Sequence, residues 1–205
     1  MKWLATFLIF FSLNAFAGLD EDVRALQTQW AEIKYQRPAA EQEKAFAELA
    51  RSADAVRAKH PGRAEPQIWY GIIVASHAGA RGGLGALSLV KEARKALELA
   101  LEIDARALDG SAYTSLGSLY YQVPGWPLGF GSDDKARELL QKALALNPDG
   151  IDPNYFLGDF LYRKGDYPGA REALQKALKA PPRPERALAD QGRRREIESL
   201  LAAMR

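Results

Sequence analysis

A glycine, a set of leucines and two alanines recur at fixed offsets, and this constrains the fold more than any other feature of the chain. Between Asn154 and Pro182 the order is Leu157-Gly158, Leu161, then Ala170, Leu174 and Ala177, closed by Pro182. Upstream the same order reads Leu116-Gly117, Tyr120, Ala136, Leu140, Ala143 and Pro148, with seven more residues between its halves. A degenerate copy carries Tyr70-Gly71, Val74, Ala93, Leu97 and Ala100, with a ten-residue insertion and no closing proline. A fainter one spans Leu26 to Pro61, with Leu49, Ala53 and Val56 in its second half. Spacings of three and four place these residues on one face of a helix. Small residues at the crossing points let two helices approach, and leucines fill the space between. A unit of this kind cannot bury its apolar face alone, so the copies must stack.

The punctuation agrees. Pro61-Gly62, Pro124 to Gly131, Asn147-Pro148-Asp149-Gly150, Gly165-Asp166 and Pro181-Pro182 separate the helical stretches, and no run alternates as a strand would. The expected fold is all-α, made of antiparallel hairpins at about 21–61, 65–104, 111–148 and 152–181. A capping helix over 184–204 follows, apolar at Ile197, Leu200 and Leu201. Arg193-Arg194-Arg195, beside Glu196 and Glu198, reads as the solvated face of that cap.

Composition narrows the chemistry. The chain has no cysteine, which excludes disulfides, thiolate nucleophiles and cysteine-held metal centres. Two histidines, His60 and His77, leave little for zinc or triad chemistry. A net charge of +2 argues against a dedicated nucleic-acid protein. At the N-terminus Lys2 precedes an apolar run from Trp3 to Leu13, then Ala15-Phe16-Ala17, the small-x-small pattern of a signal peptidase site. Residues 1–17 are therefore expected to be a cleavable leader, cut after Ala17, that delivers residues 18–205 to the periplasm as a single domain. The run is short for a bilayer span, so no membrane span is expected after cleavage.

With its glycine, alanine and proline positions the chain resembles the tetratricopeptide repeat superfamily, strongly over the two C-terminal units. The leader, the stretch Leu116-Gly117-Ser118-Leu119-Tyr120-Tyr121-Gln122-Val123-Pro124 and the long insertions look like secreted bacterial repeat proteins. They are also similar to the T component of TRAP-type transporters and to the regulator of microtubule dynamics family. This sequence lacks the lipobox cysteine of the transporter component. The resemblance implies a short right-handed solenoid whose first helices line a concave groove. It places Glu65, Ile68, Ile72, Ala75 and Ser76 on that groove from one unit. Ser111, Thr114, Ser118, Tyr121 and Gln122 come from the next, and Asp152, Tyr155, Asp159, Tyr162 and Arg163 from the last.

Among these, Tyr121, Gln122, Tyr155, Asp159, Tyr162 and Arg163 are the candidate partner contacts, since tyrosines offer area, few torsions and a polar tip. Trp126 and Phe130 join them from the insertion Gln122 to Ser132, which is either a binding lip over the groove or a plug buried against its neighbour. Ala78 to Gly85 is glycine-rich but follows a helix and matches no phosphate-binding pattern. No carboxylate pair stands in a context that would separate its two pKa values, so no catalytic residue is assigned. The expected function is a protein–protein adaptor or assembly factor without cofactor, metal or catalysis, binding a protein or peptide. The alternative is a small-ligand-binding accessory to a periplasmic transport system.

Overall fold

The computed structural model describes residues 3–204, with side chains from Gly18 to Met204; the predicted leader at 1–17 lies outside the described side chains. Nine α-helices occupy the described residues: α1 (Trp3–Gln36), α2 (Ala39–Lys59), α3 (Ala64–Arg81), α4 (Ala86–Asp104), α5 (Ala107–Gln122), α6 (Asp133–Leu146), α7 (Ile151–Arg163), α8 (Tyr167–Leu178) and α9 (Ala187–Ala203). No described residue lies in a strand, and no described helix is long and apolar enough to cross a membrane. Local chemistry starts the helices. Ser132 caps α6 by accepting from the Lys135 N–H at 3.3 Å, with Asp133 and Asp134 in the first turn. Asp166 caps α8 through the Gly169 N–H at 3.0 Å.

Three hairpins, α3–α4, α5–α6 and α7–α8, are built on one contact. A β-carbon on Gly71 would fall 2.6 Å from Leu97 Cγ, one on Gly117 2.8 Å from Leu140 Cγ, and one on Gly158 2.6 Å from Leu174 Cγ. Ala93, Leu97, Ala136, Leu140, Ala170 and Leu174 are all fully buried at these crossings. The hairpins stack, as the repeated signature requires. In the first turn of α5 the chain kinks through three consecutive left-handed residues, Leu108, Asp109 and Gly110, at φ 49°, 54° and 74°. Gly110 is doubly required, since a β-carbon there would also meet Leu146 Cδ1 at 2.7 Å.

The first two helices behave differently. α2 packs far more closely on α3 than on α1, and α1 reaches across to α3 and α9. Trp30 of α1 stands edge-on to Trp69 of α3 at 6.1 Å and donates from Nε1 to Ser76 Oγ at 2.8 Å. Tyr35 covers Gly192 of α9 so tightly that a β-carbon there would overlap its ring, and its hydroxyl donates to Glu196 at 3.4 Å. The two ends of the stack thus meet across its concave side.

This closure corrects the reading of the arginine triplet. Arg193 is 8% exposed and bridges Asp152 and Glu196, at 2.9 and 2.6 Å. Arg194 donates to the Leu178 carbonyl, left without a helical partner at the end of α8, and to the Ala180 carbonyl just beyond it. Only Arg195 of the three is exposed. Sequence charge placed all three on the surface, whereas the docking of α9 against α1, α7 and α8 turns two of them inward.

Candidate functional site

The first helices of the three hairpins lie side by side and wall a cavity of about 550 Å³. α3 contributes Trp69 and Ser76, α5 contributes Ser111, Ser115, Ser118 and Gln122, and α7 contributes Asp152, Tyr155, Asp159 and Arg163. Trp30 and Lys34 of α1, Gln42 and Phe46 of α2, and Arg193 and Glu196 of α9, with Arg186 just before it, form the facing wall. A groove open in a simple stack is here a half-open channel, because α1, α2 and α9 supply a facing wall. Serines on α5 keep that side narrow in side-chain bulk and rich in hydroxyls.

Charge is ordered around Asp152. Its carboxylate accepts from Arg193 Nε at 2.9 Å and from Arg183 Nη1 at 2.8 Å. Burial opposes its ionisation, but Arg193 and Arg183 outweigh that and hold the carboxyl well below the usual range. Arg183 is also gripped by Asp190 at 2.5 Å. Arg193 lies over the Tyr155 ring at 4.2 Å, and burial pushes that phenol up to about 12 against the pull of the guanidinium. Further along, Asp159 accepts from Arg163 Nε at 3.1 Å and from the Tyr121 hydroxyl at 2.7 Å.

Two further cavities adjoin the channel. One of about 340 Å³ shares Trp69, Ser111, Thr114, Asp152 and Arg186 with it. The other, about 450 Å³ and mostly apolar, lies beneath the two insertions, lined by Leu84, Leu87, Val90, Val123 and Leu128. It shares Ala75, Gly79, Leu119 and Gln122 with the channel.

The tetratricopeptide repeat family model matches residues 131–203, the span of α6 to α9. TTC0263, a thermophilic TPR protein in Thermus thermophilus, is similar in fold with a TM-score of 0.59 and 19% identity over 95% of each chain. Residues 131–203 match the tetratricopeptide repeat, and the chain as a whole shares the stacked-hairpin fold of that solved repeat protein. MamA gives a TM-score of 0.46 at 21% identity, over 78% of this chain and 87% of its own. No curated protein matches the chain.

Within the tetratricopeptide frame, the structure sorts the candidate residues into three groups. Gln122, Tyr155, Asp159 and Arg163 come together on the channel wall. Tyr121 and Tyr162 do not join them as free anchors. Tyr121 is held between α5 and α7, its ring 5.5 Å from Phe160 and its hydroxyl spent on Asp159. Burial, then the Asp159 charge, pushes its phenol well above the ordinary value. Tyr162 turns to Tyr167 at the start of α8, with ring centroids 5.7 Å apart. The insertion divides: Phe130 packs edge-on against Tyr120 at 5.2 Å under Arg94, while Trp126 is 90% exposed and stands outside the channel. Ile68 is fully buried rather than groove-facing. The residues that sequence reasoning missed are Trp30, Trp69, Arg186 and Arg193. They reach the channel from elements distant in sequence, and only the two tryptophans carried a signal, as large side chains inside helical runs.

Proposed function

We propose that the chain is a non-catalytic adaptor that works in the periplasm after loss of residues 1–17 and holds a segment of a partner protein in its channel. The observation that carries this reading is the convergence of Gln122, Tyr155, Asp159 and Arg163 with the α5 serines on one cavity of about 550 Å³. Its lining mixes aromatic, hydroxyl and paired charged groups, which suits peptide recognition by hydrogen bonds and ring contacts. The repeat fold supports a protein partner, since stacked hairpins present an extended concave surface. The test is in-cell crosslinking from a photoreactive residue at Gln122 or Ser118, with Trp126 as the outside control, in protein whose mass begins at Gly18. A discrete protein adduct from the channel positions and not from Trp126 supports the adaptor. No adduct from folded, exported protein overturns it.

The apolar cavity favours a second reading, a small-ligand-binding accessory of a periplasmic transport system. Its rim exposes Leu84 at 78%, Leu128 at 60% and, on the same loop, Trp126, more apolar surface than isolated exposed residues account for. Native mass spectrometry of exported protein, with an adduct of a few hundred daltons lost on Leu119→Trp, is the result that supports it. Protein of bare chain mass counts against it.

A further inference from the structure

We propose that the apolar cavity beneath the two insertions takes the tail of an amphiphile, a single alkyl or acyl chain whose small polar head lies in the channel. The inference rests on the reading of the chain as a small-ligand-binding protein and names the ligand class of that cavity. Ala78, Val90, Leu119 and Val123, all buried, form the floor, and among the side chains that line the cavity only Gln122 is polar. The two segments that frame it, 78–90 and 122–132, contain one charged residue, Arg81, in a chain that is 26% charged. Arg81 does not line the cavity; its Nε lies 3.9 Å from a Glu43 carboxylate oxygen. An ionic ligand finds no counter-charge on these walls, so their complement is uncharged hydrocarbon.

Polar groups lie at one end only. Gln122 and Gly79 line both this cavity and the channel, so the apolar space opens there onto the serines of α5. Glycine is a poorer helix residue than alanine, yet Gly79 sits in α3 without a positive φ, and a β-carbon on it would meet nothing within 4 Å. In contrast to Gly71 of the same helix, neither backbone conformation nor a tight crossing requires it. What its missing side chain provides is an opening between the two cavities. At the other end the exposed Leu84 and Leu128 form the rim. Walls recessed in this way admit a slender chain, whereas a flat membrane or protein surface does not reach the floor. The volume, about 450 Å³, is roughly three times the ~150 Å³ that encloses one benzene, which leaves room for a chain of up to about eighteen carbons.

The test is isothermal titration calorimetry of protein purified without detergent, with hexanol, octanol and decanol as probes, each below its solubility limit. The expected result is one equivalent of decanol bound with a negative heat-capacity change, and affinity that rises roughly tenfold for every two methylenes. Gly79→Leu puts a better helix former into the opening, and Leu128→Asp puts a charge on the rim. Both positions are exposed, so circular dichroism and urea unfolding are expected to match the parent while decanol binding weakens at least tenfold. Trp126→Ala, whose side chain does not line the cavity, is expected to stay within twofold. Affinity that levels off at hexanol, several equivalents without saturation, or decanol binding unchanged in either cavity variant overturns the tail site. Capture on phosphatidylcholine–phosphatidylglycerol vesicles that depends on Trp126, with no decanol bound, assigns the loops to a membrane surface and overturns it as well. The underlying reading fails separately: a native adduct that decanol does not displace upholds the small-ligand protein and refutes the tail.

Discussion

Replacing Asp152 by asparagine is expected to cost about 3 kcal/mol of stability at neutral pH. The carboxylate accepts two charge-assisted hydrogen bonds, at 2.9 Å from Arg193 and 2.8 Å from Arg183, and ties α7 to α9. Bonds of this kind contribute roughly 1.5–3 kcal/mol each. The lower end applies because both arginines keep another carboxylate, Glu196 for Arg193 and Asp190 for Arg183. Removing one member of a buried pair typically costs about 3–5 kcal/mol, in agreement. For a chain of this length the loss corresponds to a fall in Tm of roughly 6–12 °C. Because the native pKa lies below the ordinary 3.8, the contribution is fully present above that value and is lost as pH falls through the native one. The assay is thermal and urea unfolding followed by circular dichroism, for the parent chain and the variant, from pH 7 down to the acid limit of folding. The gap between the two is expected to be full at pH 7 and to narrow below pH 4. A gap under about 1 kcal/mol at pH 7, or one that does not change with acid, refutes the reasoning.

The remaining predictions concern the hairpin crossings, the insertion and the buried phenol. Gly158→Val forces a branched side chain onto Leu174 and is expected to cost at least about 2 kcal/mol in urea unfolding, whereas Gly79→Ala, with open space around the new atom, is expected to be neutral or to stabilise by up to about 1 kcal/mol. Phe130→Ala is expected to lose about 2 kcal/mol by emptying the contact with Tyr120 and Arg94, while Trp126→Ala stays within about 0.5 kcal/mol in the same denaturation series. Tyr121 has a native pKa raised above 10, so its stabilising effect is complete below pH 10 and lost as pH rises through the native value. Spectrophotometric titration of Tyr121→Phe is expected to lack one late-ionising phenol, and the parent chain is expected to lose stability in alkali more steeply than this variant.

The helical hairpins were legible in the sequence because their cause is local and periodic. Gly117 and Gly158, with Ala136, Ala143, Ala170 and Ala177, encode closely crossing helices through residue size and spacing alone, and Pro148 and Pro182 mark where a unit ends. The same frame placed Gln122, Tyr155, Asp159 and Arg163 on the concave face, since the face of a helix follows from its period. What only the tertiary structure decided is how the two ends of the stack meet. α1 lies against α3 and α9, which turns a groove into a channel, buries Arg193 on Asp152 across 41 residues, and sets Arg186 beside Trp69. It also decided that Tyr121 spends its hydroxyl on Asp159 and that Trp126 faces solvent. A charged or aromatic residue has the same appearance in sequence whether it meets water or a partner from a distant helix. Pairing of that kind depends on where the chain's far parts come to rest, and no local spacing records it.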